Sequence, residues 1–361
     1  MQLEEIRDQD VPTRFLRRLI ASNRIPNGLL FWGPSGVGKT QTAIAFAKAL
    51  LCPEHADPAS PDAAIARKID HGNHPDLRIV APVKKSRNID VEAIDSIIEM
   101  ASLRPTQSAW RVIVVSDAER MRGPAQNHLL KTLEEPPGRT VFILITEYPE
   151  FLLPTIRSRC QRVRFGRLRP DTVKDILIRS REVDVQRAEA IAAIAQGQIS
   201  RALDLVDSDK RDVVLDLVVR LADGEEPLAV AEEFSAYVAS QRTAIESQMK
   251  SAPASDADAD LSKEAREESK DELAAVADAH ARRDILDLLY LLETWYRDVL
   301  VFSSTRDASL VLNRDRLDVL EGLTDDAAAG KLAALDKARL YLERFITEDR
   351  VFRDLFFTLA G

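Results

Sequence analysis

Gly33-Pro34-Ser35-Gly36-Val37-Gly38-Lys39-Thr40 is the stretch whose reading decides the fold. It fits the G-x-x-x-x-G-K-[ST] pattern of a phosphate-binding loop. The apolar run Leu29-Leu30-Phe31-Trp32 precedes it, and the helix-forming run from Thr42 to Leu50 follows. Strand, glycine turn and helix form the context in which backbone N–H groups close around phosphate oxygens and a helix N-terminus adds partial positive charge. In that setting Lys39 reaches the β- and γ-phosphates and the Thr40 hydroxyl ligates Mg²⁺. A glycine turn without a ligand is the alternative, and the complete pattern in its full context argues against it. The expected ligand is ATP or ADP with Mg²⁺, held by Gly33, Pro34, Ser35, Gly36, Val37, Gly38, Lys39 and Thr40.

Outward from the loop, the first ~165 residues alternate β-rich and helical runs. Leu29–Trp32, Leu77–Ala81, Arg111–Val115 and Thr140–Thr146 read as strands, and residues 41–51, 91–102 and 123–134 as helices. Such alternation predicts an α/β domain: a parallel sheet with helices on both faces and ligands at the carboxyl ends of the strands. After Arg169-Pro170 the strand pattern stops. Residues 171–207 read as a small helical unit broken at Gly197, and 208–248 and 284–358 carry apolar stripes at helical spacing. Ser251–Glu272, rich in Ala, Ser, Asp and Glu, reads as a solvated linker or an exposed helix extension. The expected organisation is 1–166 as the phosphate-loop domain, 167–207 as a helical lid, and 208–361 as an all-α domain with a polar linker at about 251–272.

Bulk properties exclude several classes. With 45% apolar and 30% charged residues the chain matches an ordinary globular protein. A net charge of −9 argues against a protein held on nucleic acid by overall charge, though not against a local basic patch. The segment Met1–Asp8 lacks the apolar core of a signal peptide, and no run is apolar enough to span a membrane; the best, Ile285 to Phe302, contains Asp287, Glu293, Arg297 and Asp298. Cys52 and Cys160 make no disulfide framework. A cytoplasmic protein with no membrane partner is expected.

The run Arg111–Val115 ends in Ser116-Asp117. An acidic residue there holds Mg²⁺ in phosphate-loop proteins, so Asp117 is a metal-site candidate; the alternative is a helix N-cap. The next position, where hydrolytic relatives of this class carry a Glu that orients water, is Ala118. Glu119 comes one residue later, and on an extended chain its side chain points to the opposite face. A site that binds nucleotide and turns it over slowly or not at all is expected.

Three stretches resemble one family. Asn127-His128-Leu129-Leu130-Lys131-Thr132-Leu133-Glu134-Glu135-Pro136-Pro137 is similar to the "NALLKTLEEPP" signature of bacterial clamp-loader subunits, members of the AAA+ class. Thr155-Ile156-Arg157-Ser158-Arg159-Cys160 resembles their "S-R-C" motif, and Gly72-Asn73-His74-Pro75-Asp76-Leu77 their "HPDL" segment. Order and spacing agree over roughly 15–205; beyond that only Trp295-Tyr296-Arg297-Asp298-Val299-Leu300 supports the match. Within the family, Ser116-Asp117-Ala118 and the run from Leu152 to Cys160 resemble the delta-prime type rather than the hydrolysing gamma/tau type. The complete phosphate loop departs from many delta-prime proteins.

The resemblance implies a role for Arg159: in clamp loaders this arginine reaches across an interface to the γ-phosphate held by a neighbouring ATPase. A guanidinium suits that task, being permanently charged and forked. Arg157, Arg162, Arg164, Arg167 and Arg169 crowd around it, so a solvated strand residue or a DNA-phosphate partner is the competing account. Cys160 reads as a small buried residue. Thr146 is the counterpart of the first sensor residue, or an ordinary strand-end threonine. In the lid-like run Gly197-Gln198-Ile199-Ser200-Arg201, Ser200 occupies the place of a phosphate-sensing arginine, and Arg201 lies ~100° away on a helix. Cys52, His55, His71 and His74 fit no zinc spacing, so no zinc is expected. The implied partners are gamma/tau-type and delta-type subunits, with the sliding clamp and primer–template DNA met through the complex. The arginine cluster and the helix start near Gln126 are candidates for direct DNA contact. An active gamma/tau-type ATPase is the alternative, and an adaptor ATPase of repair or transcription a more distant one.

Overall fold

The computed structural model describes residues 2–52, 61–70, 73–82, 88–251, 263–322 and 327–361. It divides into two compact units: residues up to Thr172 together with Gly197–Ser200, and Val173–Gln196 together with Arg201–Gly361.

The first unit is built on β1 (Gly28–Trp32), β2 (Leu77–Val80), β3 (Arg111–Val115), β4 (Thr140–Thr146) and β5 (Gln161–Arg164). Every pairing is parallel, in the order β2-β3-β4-β1-β5. The helices are α1 (Asp10–Ser22), α2 (Lys39–Leu51), α3 (Pro61–Asp70), α4 (Val91–Ser102), α5 (Gly123–Glu134) and α6 (Pro154–Arg159). Leu30, Ile113, Val115, Phe142 and Leu144 share one core with Ile94 and Ile97 of α4, Leu129 and Leu133 of α5, and Ile156 of α6. The alternate strand positions Leu29, Phe31, Val112, Val114, Val141 and Ile143 are equally buried. A strand that buries both its faces loses the polar–apolar alternation and reads as a continuous apolar run, as these do.

Four strands lie where their sequence places them. β5 was not anticipated, because only Val163 of its four residues is buried. It is a short edge strand whose arginines face outward, so no apolar pattern announces it.

The "HPDL" segment has a structural explanation. Asp76 is fully buried, where its carboxylate accepts the backbone N–H groups of Thr106, Gln107 and Ser108 at 2.6, 2.8 and 2.9 Å and pairs with buried Arg111 at 3.3 Å. The Arg111 guanidinium also donates to the carbonyls of Met100, Leu103 and Arg104. One ion pair thereby closes the end of α4 onto β2 and β3, with both Arg111 Nη groups hydrogen-bonded and only Nε left without a partner.

The second unit contains α7 (Pro170–Arg181, from Val173 onward), α8 (Val185–Ile194), α9 (Ile199–Asp207, from Arg201), α10 (Lys210–Ala222), α11 (Pro227–Ser251), α12 (Lys263–Thr305), α13 (Leu317–Gly322), α14 (Ala328–Glu343) and α15 (Glu348–Ala360). Phe234 of α11 packs edge-on against Phe352 and obliquely against Phe356 of α15, with centroids 4.9 and 5.1 Å apart. The Trp295–Leu300 stretch is core: Trp295 and Tyr296 are buried, and buried Asp298 accepts the N–H groups of Leu312 and Asn313. Of the expected 251–272 segment, 252–262 lies outside the described residues and 263–272 forms the first turns of α12. Among the described residues no helix is long and apolar enough to cross a membrane.

Candidate functional site

The phosphate loop leaves β1 at its carboxyl end and enters α2. Gly33, at φ +143°, has no room for a side chain: a Cβ would sit 2.3 Å from the Phe165 carbonyl oxygen. Gly36, at φ +66°, faces Ser200, whose N–H reaches the Gly36 carbonyl at 3.4 Å. Gly38, at φ +92°, caps α2 in the left-handed region, where glycine carries no steric penalty. Lys39 is buried, and its ammonium donates to the carbonyls of Gly33 and Pro34 at 2.7 and 2.6 Å. Pro34, Ser35, Val37 and Thr40 complete the turn, with Val37 in the core and Thr40 half-buried in the first turn of α2. Gln9, which the sequence reading overlooked, donates to the carbonyls of Gly166 (2.8 Å) and Val37 (3.4 Å) and accepts the Gly166 N–H. Nothing local in the sequence marks it, because its partners are brought to it by the fold.

Burial holds the Lys39 pKa below its ordinary value, opposed by the carboxylates of Glu147, then Glu119, then Asp117. Asp117 is exposed, with φ +47°, and its side chain makes no cap hydrogen bond to the 3-10 turn Ala118–Arg120 that follows. Glu119 does not follow the strand alternation expected of it. The chain does not continue extended past Asp117; it coils at once, so Ala118 enters the core and the Glu119 carboxylate is near enough to act on Lys39. Glu119 Oε2 is shut off from solvent with no hydrogen-bond partner. Thr146, buried at the end of β4, accepts the Tyr148 N–H at 3.1 Å.

At the lid-like run, Gly197 (φ +77°) packs on Leu168, and Ser200 meets the phosphate loop as described. Arg201 is engaged elsewhere: its guanidinium lies over the Tyr290 ring at 4.2 Å and 3.6 Å from the Asp287 carboxylate. Its nearest charge is therefore a carboxylate of α12.

The other end of β1 brings the two long signatures together. Gly28 leaves no space for a Cβ, which would lie 2.8 Å from Cys160 Sγ and 3.3 Å from Leu133. Leu133 and Cys160 belong to one core, so the residues beside them, Glu134 and Arg159, are set next to each other at the surface. Arg159 Nη1 donates to the Thr155 carbonyl at 3.1 Å, and Nη2 pairs with the Glu134 carboxylate. Burial pushes the Cys160 thiol up to about 12, far from a nucleophile's range. Arg162, Arg164, Arg167 and Arg169 are exposed; Arg164 stacks over Trp32, and Arg169 pairs with Asp8. Gln126 is not a surface group: it is buried, donating to Met121 and Phe151 carbonyls and accepting the Leu153 N–H, which removes its side chain as a DNA contact. Cys52 and His74 are buried, while His55 and His71 lie outside the described residues. Among the described residues no group of three or more His, Cys, Asp or Glu side chains could hold a metal ion.

A five-stranded parallel sheet in this order, with the phosphate loop after β1 and an acidic turn after β3, defines a P-loop protein of the AAA+ class. The family model described as "DNA polymerase III, delta subunit" matches residues 8–169, and the curated proteins this region resembles include delta' subunits. It is 34% identical over 197 residues to the delta' subunit of Bacillus subtilis (strain 168), covering 55% of this chain and 59% of that one. With the delta' subunit of Escherichia coli (strain K12) it shares 32% over 198 residues, 53% of this chain and 59% of the other. The tau subunit of Bacillus subtilis is 32% identical over 213 residues, 57% of this chain and 37% of the other. The chain thus spans less than two thirds of the curated relatives it matches. Among solved structures, a gamma subunit-related protein of DNA polymerase III from Thermotoga maritima aligns over 96% of this chain and 98% of its own at a TM-score of 0.50 and 17% identity, a likeness of fold.

Proposed function

We propose that this chain is a delta-prime-like subunit of a DNA polymerase III clamp loader, a cytoplasmic complex that places the sliding clamp on primed DNA. Its partners are gamma/tau-type and delta-type subunits, and it meets clamp and primer–template through them. Its own loop would hold ATP or ADP, with buried Lys39 beside the phosphates, Thr40 and Asp117 as the residues that would hold Mg²⁺, and Thr146 at the end of the adjacent strand. The nucleotide supplies the phosphoryl group whose state the complex reads. Turnover at this site is slow or absent, because Ala118 carries no proton acceptor and Ser200 no charge. Residues 167–207 serve as a lid, and the helices of 208–361 as the collar through which subunits associate.

One observation carries the assignment of Arg159 as a residue acting in trans. Arg159 stands at the amino end of β1 and the phosphate loop at its carboxyl end, roughly 15 Å apart at the ~3.3 Å rise of a strand residue. That separation exceeds the reach of an arginine side chain, so a phosphate for Arg159 has to come from a neighbour.

The test is steady-state ATPase activity of the reconstituted loader carrying wild-type chain, Arg159→Ala or Lys39→Ala. A trans-acting arginine is worth a factor of ~10³–10⁵, so Arg159→Ala should lower turnover of the sites it serves by that order, with Lys39→Ala within about twofold of wild type. The second reading, an active gamma/tau-type ATPase, draws on the buried, unpartnered Glu119 Oε2, whose carboxylate acts on Lys39. It requires the reverse pattern, with Lys39→Ala abolishing turnover.

A further inference from the structure

Glu134 is the last residue of α5, where the helix dipole presents its negative end. A carboxylate there is unfavourable for the helix, so helix stability does not account for it. The neighbouring groups are fixed: Leu133 and Cys160 are locked in one core on either side of Gly28, and Asn27 Nδ2 donates to the Glu134 carbonyl at 3.2 Å. Two rigid main-chain positions therefore face each other, and across them the Glu134 carboxylate takes Arg159 Nη2 while the Thr155 carbonyl takes Nη1. Arg159 and Glu134 remain 36% and 46% exposed. An exposed pair of this kind adds little to folding, yet it suffices to select one orientation of a flexible side chain. A guanidinium has five N–H groups, and these two contacts leave the others for a second anion.

We propose that Glu134 is the positioning residue of Arg159: it holds the guanidinium oriented before a neighbouring subunit's triphosphate arrives, and it is a weak enough partner to share the arginine with phosphate. The inference builds on the trans-acting reading of Arg159. Orientation rather than charge is what Glu134 supplies, so losing it should slow the chemical step and leave nucleotide affinity alone.

The experiment is a double-mutant cycle in the reconstituted loader, reading kcat and KM for ATP with wild-type, Glu134→Ala, Arg159→Ala and doubly substituted chains. Glu134→Ala should lower kcat roughly three- to tenfold with KM within twofold, and should have no further effect in the Arg159→Ala background. Glu134→Gln, which keeps an oxygen to accept from Nη2, should recover most of the loss. If Arg159→Ala lowers turnover but Glu134→Ala does not, the positioning role is wrong and the trans reading stands. Losses that add in the double variant mean a structural effect and also overturn it. Unchanged turnover with Arg159→Ala would sink the trans reading itself. Should Glu134→Ala fail to assemble, NMR of the Arg159 guanidinium in the isolated chain decides: its rotation should be faster in Glu134→Asp than in wild type, and equal rates refute the proposal.

Discussion

The two ends of β1 carry the two candidate sites, and they are built in opposite ways. At the carboxyl end, the phosphate loop uses its groups on its own fold: Lys39 binds the Gly33 and Pro34 carbonyls, Gly33 presses on Phe165, and Gly36 meets Ser200. At the amino end, the packing is done by Leu133 and Cys160, and Arg159 is left at the surface with two contacts it can exchange. Where packing itself requires the motif residues, a complete motif says little about turnover. An exposed arginine held beside a core it does not join has no such structural reason to be there. On the proposed reading, the difference accounts for a complete phosphate loop that stands beside Ala118 and Ser200.

The comparison breaks first, and with the largest effect, at Gly33. If the loop is retained for packing, Gly33→Ala should cost about 3 kcal/mol or more, since the added Cβ meets backbone rather than a movable side chain and the φ of +143° is strained for alanine. In a thermal melt this amounts to a Tm lowered by roughly 6–12 °C. Gly38→Ala, with nothing within 4 Å of its Cβ, should cost only the left-handed backbone penalty of ~1–2 kcal/mol. Equal effects at the two glycines would show that packing against Phe165 is not what holds the loop.

The glycines were legible in the sequence because a phosphate loop is a local pattern, and so were the helices and the four buried strands, whose periods lie within a dozen residues. What escaped the sequence depends on encounters along the fold. Gln9 meets Gly166 from 157 positions away. Glu119 comes near enough to act on Lys39 only because Asp117 adopts a left-handed conformation, which no neighbouring residue announces. β5 was hidden because an edge strand of arginines has no apolar face. The pairing of Glu134 with Arg159 joins two motifs that were each recognisable, yet their meeting needs the sheet between them.

A smaller effect sharpens the comparison by separating stability from the sites. Burial resists ionisation of Asp76, yet three backbone N–H groups and Arg111 together hold its pKa below the usual carboxylate value. The unfolded chain then binds the proton more readily than the folded one. The stability Asp76 contributes is full above the unfolded value near 4 and is lost as pH falls through the depressed folded value. Asp76→Asn should cost about 2–3 kcal/mol at pH 7, where one acceptor survives but Arg111 loses its charge partner. The difference from wild type should shrink in acid, as measured by urea unfolding at pH 7 and pH 3. Clamp-loader turnover should follow the folded fraction alone, since Asp76 touches neither end of β1. A constant difference across pH would mean that the carboxylate is not ionised in the fold.

The smallest effect tests whether the carboxyl end of β1 has any arginine to call on. Ser200, which the resemblance sets at the place of a sensing arginine, lies against Gly36, while Arg201 is committed to Tyr290 and Asp287. Burial raises the Asp287 pKa, and the Arg201 guanidinium is the first of the cations that counter it. A partly buried cation–π contact and one ion pair together are worth about 1 kcal/mol. Arg201→Gln should therefore destabilise the helical unit by that amount, visible as a small shift in a denaturant melt. Binding of a fluorescent ATP analogue should stay within about twofold of wild type, because the guanidinium that is lost is engaged by Tyr290 and Asp287. A tenfold loss of nucleotide affinity would show that Arg201 leaves Tyr290 when nucleotide binds, and the carboxyl end would then have the charge that Ser200 lacks. The two ends of β1 would in that case both present an arginine to phosphate, and the contrast between them would be one of timing rather than of composition.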